Sequence, residues 1–412
     1  MKTLWEQHYA QRTQRIKSSA IRELLKLAER KDVISFAGGL PAAESFPLKQ
    51  LEQAMQRVIA QSDGAAFQYS TTEGYLPLRD MIARHTSRYG LNITPDNLLI
   101  TAGSQQGLDL LGRIFINPGD RILVEAPTYL GALQAWNAYG AEYISVPVDQ
   151  DGMKMDVLEA MLRTGPKFIY VLPNFQNPSG VTLSAARRLK LVELANHYGV
   201  PIIEDDPYGQ LRYEGKHIPA VAVLDTKGRD DCDTCYRGNV IYLSTFSKVL
   251  APGLRVAWVV AAPEVIEKLV QAKQGADLQT ATFNQMLIYQ VAREGFLDHH
   301  IKSLRTLYRT RRDAMLNAMQ EHFPQAVQWT HPEGGLFLWA TLPEGIDSAE
   351  VLRAAIQERV AFVPGASFHA NGQGANTMRL NFSNATPEQI YEGIARLGQV
   401  LETQLDQVIA TP

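Results

Sequence analysis

The chain has 412 residues, 45% of them hydrophobic and 20% charged, an ordinary globular composition with length for more than one core. A net charge of −3 without any Lys/Arg-rich run argues against nucleic acid and anionic membrane as ligands. The opening MKTLWEQHYAQRTQRIK has no apolar h-region and no apolar run reaches about 18 residues, so neither a signal peptide nor a membrane span is expected and the expected compartment is the cytoplasm.

In chain order, residues 16–30 (IKSSAIRELLKLAER) place Ile21, Leu24, Leu25 and Ala28 at helical spacing. From residue 98 the pattern changes. The runs LLIT, RILVEA, YISVPV, FIYVLP, PIIED, VIYLS and RVAWVV are rich in Val, Ile and Leu and alternate with helix-length segments. They predict an α/β fold whose large domain holds a mainly parallel seven-stranded sheet flanked by helices. Beyond residue 300, long helical stretches mix with GGLFLWATL and TMRLNFS, which predicts a smaller α+β domain. The expected division is an N-terminal segment over 1–45 packing with the small domain, a large domain over 46–300 and a small domain over 301–412. The two cysteines, Cys232 and Cys235, lie in the acidic stretch DCDTC. No second C-x-x-C or H-x-x-x-H accompanies them, so surface thiols are expected rather than a metal or redox site.

Open parallel sheets bind ligands beyond the carboxyl ends of their strands, so the residues after each strand carry the functional signal. LLIT is followed by Gly103, Ser104 and Gln105 at a helix start, where free N–H groups suit a phosphate as well as a plain cap. After RILVEA, Tyr129 begins a helix, placed either to cap the core or to cover a flat ligand. After FIYVLP, Asn174 and Asn177 flank a turn set by Pro178 and Gly180, and an amide there suits a phenolate oxygen. Asp205 and Asp206 end the next strand, with Tyr208 close behind. VIYLS leads into Thr245, Ser247, Lys248 and Arg255, hydroxyls and cations able to bind a phosphate. A lysine between two buried strands is costly to desolvate without a task. Together these strand ends describe a planar, phosphorylated ligand with a phenolic oxygen and a ring nitrogen wanting a carboxylate, beside a lysine: pyridoxal phosphate.

The stretches SFAGGLP, QYSTTEGYLPLR, TAGSQQGLDL, NFQNPSG, EDDPY, STFSKVLAPGLRVAW and MRLNFS occur in this order. With them the chain resembles the fold-type I, class I/II aminotransferases, and within these the 2-aminoadipate (kynurenine-type) subgroup. The resemblance implies a ping-pong transaminase in which Lys248 forms a Schiff base with the cofactor aldehyde and shuttles a proton. A free lysine is protonated at neutral pH, with a pKa of about 10.4, so the site must favour its neutral form. It further implies that Asp205 pairs with the pyridine nitrogen, that Asn177 and Tyr208 bond the phenolic oxygen and that Tyr129 stacks on the ring. Ser104, Gln105, Thr245, Ser247 and Arg255 would hold the phosphate. Thr245 departs from the serine usual in the family but keeps the hydroxyl. Tyr69 would reach the phosphate of the neighbouring subunit, which makes a homodimer with shared active sites. Arg379 sits on an alternating strand and is suited to bidentate contact with a substrate carboxylate. Gly39, Asn174 and Asn177 join it in the implied substrate site. Arg22, in a segment similar to the one that covers the substrate, is expected to swing in for the distal carboxylate of glutamate, 2-oxoglutarate or 2-aminoadipate and out for aromatic and aliphatic side chains. The same chemistry would also permit a carbon–sulfur β-lyase. Some transcription regulators carry such a domain behind a winged helix; the 30 residues before ISFAGGLP offer no basic recognition helix, so an enzyme is expected.

Overall fold

A computed structural model of the chain describes residues 3–16, 32–227 and 235–409. Arg22, most of the helix expected over 16–30, and Cys232 lie outside the described residues. The strands are β1 (Ile34–Ser35), β2 (Leu98–Thr101), β3 (Arg121–Ala126), β4 (Glu142–Asp149), β5 (Gly152–Met153), β6 (Phe168–Val171), β7 (Ile202–Asp205), β8 (Val240–Thr245) and β9 (Ala257–Val260). The C-terminal part adds β10 (Gln328–Trp329), β11 (Phe337–Thr341), β12 (Val360–Ala361), β13 (Val363–Pro364) and β14 (Thr377–Asn381).

The large sheet has the order β2-β9-β8-β7-β6-β3-β4-β5. From β8 across to β4 all neighbours are parallel, whereas β9 runs antiparallel to both β2 and β8. The seven expected strands are present, and the eighth is the two-residue β5, a hairpin partner of β4 too short to show any alternation. β2, β6, β7 and β9 are buried at every position. Such strands are covered on both faces. Alternate residues accordingly enter two separate cores. Ile100, Ile169, Val171 and Ile202 face one, while Leu99, Phe168, Tyr170 and Ile203 face the other. Each fully buried Val, Leu, Ile or Phe contributes roughly 1.5–3 kcal/mol, so this double coverage fixes strand register strongly.

Close helix packing sharpens the upper edge of the sheet. The helix Ser104–Phe115 lies so near that a Cβ on its Gly107 would stand 3.2 Å from Leu243 and 3.3 Å from Val259. Its first turn is thereby pinned beside the carboxyl ends of β8 and β2.

β10, β11, β14 and β13 form a smaller antiparallel sheet, and the long helices Phe296–His322 and Pro387–Ile409 pack on one another nearby. The first of these helices begins after Gly295, in a left-handed conformation, and runs unbroken through position 300. β1 pairs in parallel with β12, and the strip continues: Phe36 N–H donates to Ala361 O at 2.7 Å and Asn381 N–H donates to Phe36 O at 2.8 Å. The N-terminal strip is thus threaded between β12 and β14, which carries Ala37 and Gly39 toward Arg379. No helix among the described residues is long and apolar enough to cross a membrane. Cys235 donates from Sγ to Asn97 Oδ1 at 3.3 Å.

The loop after β6 is tied down by Arg188, which is fully buried. Its guanidinium donates to Leu183 O at 2.9 Å, Pro173 O at 2.7 Å, Asn174 Oδ1 at 2.7 Å and Pro219 O at 2.9 Å. Replacing it with an apolar residue strands these acceptors. Arg188→Leu is expected to cost at least about 3 kcal/mol, from roughly 1–3 kcal/mol for each buried group left unsatisfied. The check is urea unfolding, where the midpoint should fall at an unchanged slope.

Candidate active site

Four strand ends meet around one cavity of about 290 Å³. β7 delivers Asp205 and, a short turn later, Pro207 and Tyr208; β8 delivers Thr245, Ser247 and Lys248; β6 leads to Leu172 and Asn177; β2 leads to Ser104 and Gln105. Gly39, Tyr129, Arg255, Phe337 and Arg379 complete most of the wall. Volume alone does not pick this cavity out, since a cleft of about 790 Å³ runs beside Asp149–Asp151, Ser179–Thr182 and Trp329–His331. Convergence of titratable groups at the carboxyl edge of the sheet does.

One corner of the cavity is built for an anion. Gly103 adopts φ +81° and hands the chain to the helix Ser104–Phe115, whose first N–H groups have no intrahelical acceptors. Arg255 occupies the left-handed region at φ +54°, and its guanidinium lies over Gly103 so closely that a Cβ there would collide with it. Only glycine serves at 103 for both reasons. Thr245 Oγ1 accepts the Ser247 N–H at 3.0 Å and lies 2.9 Å from Ser247 Oγ, so the threonine shapes the turn that carries Ser247 and Lys248. Gln105 reaches from the same helix start to Gly131 O at 2.8 Å.

Opposite lies a deeply buried carboxylate. Asp205 is 3% exposed, and burial raises its pKa to about 7 against the lowering effect of a hydrogen bond from Tyr170. Tyr170 donates to Asp205 Oδ2 at 2.9 Å. Tyr208 and Asn177 are buried together at the cavity wall, and burial pushes the Tyr208 phenol above its usual range. Tyr129 caps the helix Leu130–Asn137 at the cavity wall.

Lys248 Nζ donates to Gly39 O at 2.8 Å. Desolvation, reinforced by the charges of Arg379 and Arg255, lowers its pKa to about 8. A substantial share of the amine is therefore neutral near physiological pH, as proton abstraction requires. Arg379 donates to Asn177 Oδ1 at 2.8 Å and Ala37 O at 2.7 Å, and its guanidinium lies between the rings of Phe337 and Phe368 at 4.3 and 4.9 Å. Burial lowers its pKa to about 10, which leaves it a cation at neutral pH.

The structure brings Lys248, Asp205, Tyr208, Ser104, Gln105, Tyr129, Asn177, Thr245, Ser247, Arg255, Arg379 and Gly39 together around the one cavity. Asn174 stands apart: its amide donates to Asp206 Oδ1 at 3.0 Å and its oxygen accepts from Arg188, so it braces the loop rather than lining the cavity. Tyr69 is 80% exposed and lies away from the cavity of its own chain. Sequence reasoning missed Tyr170, Phe337 and Phe368. Tyr170 left a usable signal, because a phenol inside a fully apolar strand must find a partner. The two phenylalanines left none, since aromatic residues on strands are ordinary core.

The residues fit pyridoxal phosphate. Three polar atoms of the cavity wall, Asp205 Oδ1, Ser104 Oγ and Arg379 Nε, are buried and find no hydrogen-bond partner among the described residues, and the first two face the cofactor's share of the cavity. A ring N–H and a phosphate oxygen would satisfy one each. The bound ring would act as an electron sink for negative charge developing at a substrate's α-carbon.

Residues 31–397 match the family model for aminotransferase class I and II. The chain is 46% identical to an aromatic-amino-acid aminotransferase of Thermococcus litoralis, over 97% of this chain and 95% of that one. It is 43% identical to a 2-aminoadipate transaminase of Thermus thermophilus, over 97% of each. Among solved structures, it superimposes on an alpha-aminoadipate aminotransferase from Thermus thermophilus, complexed with N-(5'-phosphopyridoxyl)-L-leucine, with a TM-score of 0.91 at 42% identity, covering 98% of this chain and all of that one. Sequence likeness over nearly the whole length and a matching site lead to one conclusion: the chain belongs to the class I and II aminotransferases and is a pyridoxal-phosphate-dependent transaminase of fold type I.

Proposed function

We propose that the chain is a homodimeric transaminase of broad side-chain tolerance, which passes the amino group of 2-aminoadipate and of aromatic or aliphatic L-amino acids to 2-oxoglutarate. The observation that carries this reading is the distribution of cations. Among the described residues lining the cavity the cations are Lys248, Arg255 and Arg379. Lys248 is the proton carrier, Arg255 belongs to the anion corner, and Arg379 is the fixed partner for an α-carboxylate. Among the described residues the wall holds no further cation for a side-chain carboxylate, and Phe337 and Leu172 offer apolar wall. A site of this kind accepts apolar side chains directly and takes acidic ones with a cation brought in from elsewhere. Arg22 is that cation in our reading. A fixed buried arginine would be left unpaired by an apolar substrate at considerable cost, whereas a movable one would not. The names of the relatives, aromatic-amino-acid aminotransferase and 2-aminoadipate transaminase, span the same two substrate classes.

In this reading Arg379 grips the α-carboxylate and Asn177 braces the guanidinium. Asp205 faces the cofactor's ring nitrogen, and Lys248 takes the proton from the α-carbon. The purified protein should be yellow, and Lys248→Ala should lose turnover altogether. The half-reaction with a 2-oxo acid, in which Lys248 is a free amine, should accelerate as pH rises through about 8, because the neutral base is the active form. Retention of full turnover by Lys248→Ala would overturn the assignment.

Single-turnover measurements with glutamate, 2-aminoadipate, leucine and phenylalanine test the substrate range. Glutamate must form from 2-oxoglutarate with each other donor; release of a thiol, pyruvate and ammonia without an acceptor from a donor that carries sulfur on its β-carbon, such as cystathionine, would mean elimination instead. Arg379→Ala should raise KM for every donor. Arg22→Ala should raise it for the acidic ones alone, and equal losses for leucine and glutamate would make Arg22 structural.

The dimer is supported by the QYSTTEGY stretch and by a surface rich in exposed apolar groups, with Leu4, Trp5, Phe67 and Tyr69 between 66% and 80% exposed. Tyr69→Phe should leave the dimer intact in sedimentation and weaken cofactor affinity by at most about 1.5–3 kcal/mol, the worth of one hydrogen bond to a charged group. A fully active monomer would contradict the shared site.

A further inference from the structure

Tyr170 and Asp205 sit on neighbouring strands, and their relation follows from register. In the β6–β7 pair, Tyr170 stands opposite Ile203, so Asp205 is its diagonal neighbour on the same face of the sheet. Around the pair that face is apolar: Phe168, Ile203 and Leu243 share one core with Tyr170. A hydroxyl and a carboxylate placed there have few alternatives to each other. Trp136 fixes the phenol ring from below, edge-on at 5.0 Å and 89°, and is itself held by donation from its indole N–H to Leu108 O at 2.8 Å. The helix that carries Trp136 starts at Tyr129 on the cavity wall.

We propose that Tyr170 is a positioning residue for the cofactor: by donating to Oδ2 it keeps Asp205 ionised and turned so that Oδ1 is left for the ring nitrogen. The inference rests on the cofactor's presence at this cavity and adds a residue that does not touch it. Two observations carry it. Oδ2 is taken by Tyr170 at 2.9 Å, and Oδ1, equally buried, has no partner among the described residues. The phenol is an obligate donor here, because burial and the nearby Asp205 charge hold its proton on well above the usual tyrosine range. A carboxylate bonded by a permanent donor favours its charged form. Other titratable groups also face this pair. Asp206 on the same chain segment raises the Asp205 pKa, Tyr129 and Tyr208 share its cavity, and Glu125 on β3 acts on Tyr170. The cations Lys248, Arg255 and Arg379 line the same cavity. None of these is altered by removing the Tyr170 hydroxyl.

The test is Tyr170→Phe, which keeps the ring and its packing on Trp136. The probe is pyridoxamine 5'-phosphate, which forms no covalent bond to Lys248, titrated into the apo protein from pH 5.5 to 9 (roughly the range over which such a carboxylate changes charge). In the wild type, affinity should be full at high pH and fall as pH drops through the Asp205 pKa, about 7. Loss of the donor raises that pKa, so in Tyr170→Phe the fall should begin at higher pH. At pH 7 the probe should bind about tenfold more weakly, the effect of one hydrogen bond to a charged group. With cofactor saturating, kcat should drop while KM for the amino acid stays put. Tyr170→His, which restores a ring donor, should recover part of the loss. The double variant with Asp205→Asn should show no added effect of Tyr170→Phe, and this arm decides the matter if Tyr170→Phe alone is poorly folded. An identical pH profile for wild type and Tyr170→Phe, or equal losses with and without Asp205, would overturn the proposal. Failure of the wild type to bind the probe at all would instead strike at the cofactor site itself.

Discussion

Desolvation is the constraint on which this site depends. Asp205, Lys248 and Arg379 are all drawn toward their neutral forms by burial, to pKa values of about 7, about 8 and about 10. The same effect serves three ends. It makes the lysine a usable base, it makes the arginine a poorly hydrated partner that prefers a carboxylate to water, and it leaves the aspartate in need of a positive neighbour. Each group is then held by neutral dipoles rather than by a counter-charge: the carbonyls of Gly39 and Ala37, the amide of Asn177 and the phenol of Tyr170. A charged substrate or cofactor therefore meets groups that no opposite charge has already claimed.

The sheet makes this dryness possible. Because its central strands are covered on both faces, their carboxyl ends open into protein rather than water. The small sheet and the N-terminal strip close the remaining side, since Arg379 lies on β14 while Ala37 and Gly39 lie on the strip threaded beside it. The cavity is consequently assembled from both ends of the chain.

Much of this was legible in the sequence because strands buried on both faces read as continuous apolar runs, and the chemistry follows at their ends. Asp205, Lys248 and Arg379 stood out as charges against such runs. The residues that escaped notice act through geometry that sequence does not encode locally. Tyr170 matters through a cross-strand diagonal, and Phe337 and Phe368 through a sandwich around a guanidinium contributed by another strand. Asn174 misled for the opposite reason: its place near Asn177 in a turn suggested a shared task, yet its side chain is bound to Asp206 and Arg188. β5 was invisible because two residues carry no period.

The acidic run at 204–206 shows how finely the strand end divides labour. Glu204 accepts the N–H groups of Val221 and Ala222 at 2.9 Å each, Asp205 faces the cavity, and Asp206 accepts from Asn174, Gly209 and Tyr242. Three adjacent residues of like charge occupy three surroundings, and the pleat assigns them. For the evolution of such enzymes this makes order, rather than content, the inherited quantity. Exchanging Glu204 with Asp205 would preserve charge, composition and hydrophobic pattern, yet it would alter both the tether on the segment 221–226 and the reach toward the cofactor. Ile202 and Ile203 need only be apolar and of fitting size for the two cores they enter, but the single step between the last residues of β7 is fixed by two unrelated jobs at once.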